Sequence, residues 1–147
     1  MNINNVNYAK ELKKSRVDLN GVLVIASGIL ALLDLKSNDD LDLWVTKKVF
    51  QSMKTNSLWK PVMKHGRLFY EAGGGNIEAS DGFPCTKGKF EDYMKRSIKV
   101  SGINFESIDD VIAWKRCMKR PKDFQHIKLL EKYKRKYMVE VYLRSLK

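Results

Sequence analysis

The sequence predicts an α+β fold: a mixed sheet flanked by helices, with further helices at its C-terminal end. Three observations predict it. Short, apolar, β-branched runs bounded by turn residues occupy the first two thirds, beginning with "VLVIA" (Val22 to Ala26) and "LDLWV" (Leu41 to Val45). Helical spacing takes over after Ser107, where Ile127, Leu130, Tyr133 and Tyr137 recur. The 147 residues match one ordinary domain, and 44% hydrophobic residues supply a real core, which argues against intrinsic disorder.

Taken in order, residues 3–16 read as helix, with Ile3, Val6, Tyr8 and Leu12 loosely on one side. "DLNG" (Asp18 to Gly21) is a turn, and Val22 to Ala26 a buried strand. Ser27 can cap a helix, Gly28 allows close approach, and Ile29 to Leu35 suits a short buried helix. Leu41 to Val45 is the second strand, and Thr46 caps the helix that follows. "LWKPVMKHG", "RLFYEA" and "IEAS" read as β-structure, with Gly73 to Gly75 reversing the chain. "KFEDYMKR" is a short helix, and "SIKVSGINF" a hairpin turning at Ser101-Gly102. Ser107 with Asp110 forms a short-acid capping box, and Pro121 suits the first turn of the last helix. No repeat or linker divides the chain, so residues 1–147 read as one domain with a basic helical segment over 107–147.

The net charge of +11 is uneven. Residues 1–110 carry 16 Lys/Arg against 14 Asp/Glu, whereas residues 111–147 carry 12 against 3. A nearly neutral body with a basic end favours anionic partners, although a charge run by itself is more often a solvated face. The longest apolar run is broken at Ser27-Gly28 and is too short to span a bilayer, and the N-terminus has no apolar signal region. Cys85 and Cys117 lie far apart, with no CxxC spacing, so two reduced thiols in a cytoplasmic protein without a membrane partner are expected.

The chemistry gathers at "DDLDL". Residues two apart on a strand share a face, so Asp40 and Asp42 sit side by side while Leu41 and Leu43 face the core. Carboxylates that close are tolerated when solvent, a basic partner or a hard cation such as Mg²⁺ compensates them. Just upstream, strand–Ser27–Gly28–helix offers free backbone N–H groups to an anion. Glu78 in "NIEAS" is the preferred third carboxylate, with Glu71 in "FYEAG" the competitor. Lys115, whose stem can cover the core while its tip reaches a pocket, and Lys122 are the basic residues expected nearest a phosphate. His65 reads as a turn residue, His126 as structural, and Trp44, Trp59 and Trp114 as core.

Strand, Ser27-Gly28, helix, then Asp-x-Asp on the next strand resembles the nucleotidyltransferase superfamily, the DNA polymerase beta-like fold. Eleven residues, Ile29 to Asp39, separate Gly28 from Asp40, as in that pattern. The stretch "FESIDDVIAWKRCMKRPKDFQHIKLLEKY" resembles the C-terminal helical segment of small bacterial predicted nucleotidyltransferases related to AbiEii-type toxins. The resemblance implies a nucleotidyltransferase-like sheet and transfer of a nucleoside monophosphate from an NTP to a hydroxyl acceptor. It implies two Mg²⁺ ions on Asp40, Asp42 and Glu78, with Glu78 as general base. Ser27, Gly28, Lys115 and Lys122 would hold phosphates. The basic end tilts the acceptor towards an anion such as tRNA, and the small size leaves room for a homodimer. Two other readings compete. One is an inactive binding or regulatory module of the same fold, toxin–antitoxin-like, to which the Ser27-Gly28 order lends support. The other is a basic RNA-binding protein whose affinity falls steeply with salt.

Overall fold

The computed structural model describes residues 1–147. It is an α+β structure built on one seven-stranded mixed sheet. The strands are β1 (Val22–Ile25), β2 (Leu41–Val45), β3 (Lys60–Lys64), β4 (Arg67–Ala72), β5 (Ile77–Ser80), β6 (Ile98–Val100) and β7 (Ile103–Phe105). Their spatial order is β3-β4-β5-β2-β1-β7-β6. β1 runs antiparallel to β2 and parallel to β7, and β2 runs parallel to β5. The helices are α1 (Ala9–Lys14), α2 (Gly28–Leu32), α3 (Lys47–Met53), α4 (Phe90–Arg96), α5 (Ile108–Met118) and α6 (Pro121–Ser145). None is long and apolar enough to cross a membrane.

Alternation along the strands makes two cores. Val22, Val24, Leu41, Leu43, Val45, Ile77 and Phe105 face α1, α2, α3 and the buried faces of α5 and α6. Leu23, Ile25 and Trp44 face the other way and meet Tyr93 of α4 and Trp114 of α5. This second cluster is small, and the acidic residues of β2 and β5 lie on its side of the sheet.

Local signals set most boundaries. Thr46 Oγ1 accepts the Val49 N–H at 3.2 Å, and Ser107 Oγ accepts the Asp110 N–H at 3.1 Å, so both caps form, but Asp110 Oδ2 accepts from Arg96 Nε at 2.9 Å and does not close the expected capping box. Gly73 to Gly75 form a 3-10 turn with positive φ throughout, which joins antiparallel β4 and β5. The β6–β7 turn uses Ser101 and Gly102, both at positive φ, and the β3–β4 turn uses His65 and Gly66 in the same way.

Three expectations need correction. Residues 3–16 are not one helix, because the chain breaks into a 3-10 turn at Ile3–Asn5 and then α1, hinged at Tyr8 with φ 69°. The helix after Ser27 ends at Leu32 rather than Leu35, and Ser27 makes no side-chain cap. The cysteines are not reduced thiols: Cys85 and Cys117 form a disulfide, with Cα atoms 5.9 Å apart. The connection after β5 returns beneath α5, a juxtaposition that a separation of 32 residues hides from any local pattern.

Candidate active site

β1 and β2 run in opposite directions, so the C-terminal end of β1 meets the N-terminal end of β2, and Ile25 stands opposite Asp42. The residues after Ile25 are the turn Ala26-Ser27-Gly28, with Ala26 at φ 59°. On the other side of β2, parallel pairing sets Asp42 opposite Glu78. The two side chains therefore share a face on strands about 4.8 Å apart. Glu71 stands opposite Glu78 on β4, one strand further from Asp42. Register thus distinguishes the two candidates for the third carboxylate, and Glu78 is the one that adjoins the doublet.

Asp40 lies on the bend before β2 and is exposed. The strand alternation expected over Asp40 to Asp42 therefore starts one residue late. What holds this approach is Asn38, buried among polar contacts. Its Oδ1 accepts the Asn7 N–H at 2.9 Å, and its Nδ2 donates to the Asp40 carbonyl at 3.0 Å. Burial pushes the Asp42 carboxyl up to about 6, and the charges of Asp40 and Glu78 push the same way. Lys122 and Arg120 oppose the rise, which puts both cations within electrostatic reach of Asp42. Lys64 Nζ bridges Glu78 Oε2 at 2.5 Å and Glu71 Oε1 at 2.8 Å, and those two bonds hold its pKa above the usual lysine range.

Gly28 is buried, and a Cβ there would meet Val24 Cγ1 at 2.3 Å, so close packing on β1 requires a glycine at this position. Lys115 is not at a pocket. Its side chain has no exposure, and its Nζ lies 3.4 Å from Asp123 Oδ1 and 2.9 Å from His126 Nδ1. Burial lowers its pKa, against the pull of Asp123. Lys36 Nζ approaches the other ring nitrogen of His126 at 3.2 Å. The two lysines thus flank both ring nitrogens of His126, whose donor and acceptor roles depend on its tautomer. Lys122 is exposed in the first turn of α6.

Three further residues belong to this end of the sheet. Arg120 grips buried Asp123 through Nε (2.8 Å) and Nη2 (3.0 Å), and its guanidinium lies over the Trp114 ring at 5.2 Å. Arg120 and Asp123 are three apart around Pro121, a spacing that could have pointed to the pair. Asn38 and Glu106 give no such signal. Glu106, buried at the end of β7, accepts the Ala26 N–H at 3.4 Å, and burial pushes its carboxyl up to about 7.

No group of three or more His, Cys, Asp or Glu side chains is gathered closely enough to form a complete metal cage. The donor set still suits Mg²⁺, which binds through one or two carboxylates and takes its other ligands from water and substrate phosphates. Asp42 and Glu78 are two such carboxylates, and their mutual repulsion is what a cation would relieve. A cavity of about 510 Å³ along Ile3 to Lys13 lies elsewhere, and the acidic pair is on the sheet surface instead. Comparison with known proteins returns no match to any family model, curated protein or solved structure.

Proposed function

We propose that this chain is a Mg²⁺-dependent nucleotidyltransferase that moves a nucleoside monophosphate from an NTP to a hydroxyl acceptor. The observation that carries the reading is the cross-strand pair Asp42–Glu78 beside the β1–α2 turn, with Arg120 and Lys122 within electrostatic reach. The Asp-x-Asp strand next to a glutamate strand, after a strand–small–Gly turn, is the arrangement the sequence resemblance leads one to expect. Asp42 and Glu78, with Asp40 close by, would hold Mg²⁺, and the ion would neutralise the charge developing on the phosphates. Arg120 and Lys122 would bind the triphosphate. Glu78 would take the proton of the attacking hydroxyl once its bond to Lys64 is released. Lys115, being enclosed, would act through Asp123 and His126 and not on phosphate. The basic C-terminal third favours an anionic acceptor such as tRNA.

A second reading, a nucleotide-binding module of the same fold without transfer activity, draws support from Lys64, which already neutralises Glu78. One experiment separates these readings from each other and from simple salt-dependent RNA binding. Thermal unfolding is measured with Mg²⁺ and each NTP, for wild type and Asp40→Ala/Asp42→Ala, together with pyrophosphate release in the presence of bulk tRNA. A ligand that binds only the native state must raise the melting temperature. A Mg²⁺-dependent NTP shift lost in the double variant, with pyrophosphate release, supports transfer. The shift without release supports the module. No shift with any NTP refutes both.

A further inference from the structure

We propose that the Cys85–Cys117 disulfide is a redox latch that clamps the acidic and cationic halves of this site together, so that a thiol reductant loosens nucleotide binding. The inference rests on the reading of the site given above. Its structural basis is the position of the bridge. Cys85 lies in the connection 81–89, which leaves β5 just after Glu78. Cys117 lies in the last turn of α5, three residues before Arg120 and five before Lys122. The bond therefore joins the segment that continues the carboxylate strand to the segment that delivers the two cations.

The other tethers of the 81–89 connection are hydrogen bonds and ring packing. Trp44 Nε1 donates to the Asp81 carbonyl at 3.2 Å, and Trp114 Nε1 to the Pro84 carbonyl at 2.9 Å. The Tyr93 hydroxyl accepts the Lys87 N–H at 2.9 Å and donates to the Lys87 carbonyl at 2.8 Å. Trp114 is shared, since it holds Pro84 through its indole N–H and carries the Arg120 guanidinium on its ring. Motion of the connection therefore passes to Arg120 through one side chain. Between Cys117 and Arg120 the chain turns at Lys119, in the left-handed region at φ 55°, so the cationic segment leaves the axis of α5.

The bridge is also reachable. Cys117 is exposed, Cys85 is half-buried, and a cavity of about 90 Å³ lined by Lys87, Tyr93, Asp110 and Trp114 opens beside them. Reduction by a dithiol breaks one S–S bond and forms two S–H bonds. The two electrons and two protons come from the dithiol, which closes to its own disulfide.

The test compares the full chain oxidised, the same chain reduced with dithiothreitol, and Cys85→Ser/Cys117→Ser. Three quantities are read: free thiols, amide hydrogen exchange along the chain, and the melting-temperature shift given by Mg²⁺ with ATP, GTP, CTP or UTP. The expected result is no free thiol before reduction and two after. Exchange over 81–89 and 118–124 should rise at least tenfold while β1, β2 and β5 stay protected. The nucleotide shift should fall by half or more, and the double variant should match the reduced chain. Two free thiols in the oxidised preparation, unchanged exchange over 118–124, an equal rise through the whole sheet, or a nucleotide shift present in the oxidised chain and undiminished on reduction would each overturn the latch. A local rise in exchange with no nucleotide shift in either redox state would instead overturn the nucleotidyltransferase reading and keep the mechanical coupling.

Discussion

Replacing Asp42 by Asn should make the protein more stable while it removes a ligand of the proposed cation. In the folded chain burial raises the Asp42 pKa from 3.8 to about 6, with Asp40 and Glu78 adding to the rise and Lys122 and Arg120 opposing it. The folded state therefore holds this proton more tightly than the unfolded state does. Above pH 6 the carboxylate is charged and the fold carries the full penalty. Well below the unfolded pKa of 3.8 both states are protonated and the penalty is gone. At 1.36 kcal/mol for each factor of ten, raising the pKa from 3.8 to about 6 corresponds to about 3 kcal/mol. Asn keeps the shape and removes the charge, so Asp42→Asn should gain about 1–3 kcal/mol at pH 7.5 and only about 0.5 kcal/mol at pH 4. For a chain of this size that is a rise of roughly 3–10 °C in melting temperature. The assay is calorimetry of both proteins from pH 4 to 8, each with and without Mg²⁺ and NTP. Taking the difference between the two proteins cancels the titration of Glu106 and His126. A variant equally destabilised at pH 4 and pH 7.5 would refute the electrostatic account of this residue.

Two further outcomes follow from the packing. Gly28→Ala should destabilise by about 1–3 kcal/mol in urea, because the new methyl would lie 2.3 Å from Val24 Cγ1 and β1 or α2 must move; unchanged stability would mean that the turn is looser than described. His126 titrates in the opposite sense to Asp42. Burial, then Lys115 and Lys36, lower its pKa from 6.5 to about 4, so the fold favours the neutral ring and loses stability as pH falls from about 6.5 towards 4. In His126→Gln that part of the acid-side loss should disappear from thermal melts, and parallel curves for the two proteins would exclude His126 as its source.

What was legible in the sequence is what short-range physics fixes. Val22 to Ile25 and Leu41 to Val45 are strands because their residues are β-branched or alternate and are bounded by turn formers. Thr46 and Ser107 announce helices because a hydroxyl can reach an amide two or three residues on. The Asp-x-Asp doublet could be read as a candidate site because strand geometry relates neighbours two apart, although the bend at Asp40 blurs that relation. The remaining features depend on pairings between distant segments. Register across β2, β5 and β4 puts Glu78, and not Glu71, opposite Asp42. The crossing of the 81–89 connection with α5 joins Cys85 to Cys117. The packing of α5 on α6 encloses Lys115 with Asp123 and His126, while the charges of Lys122 and Arg120 are felt at Asp42. Residue identity sets which groups can meet, but burial and register come from the whole sheet closing at once, and it is these that decide the protonation and reach of each charged group.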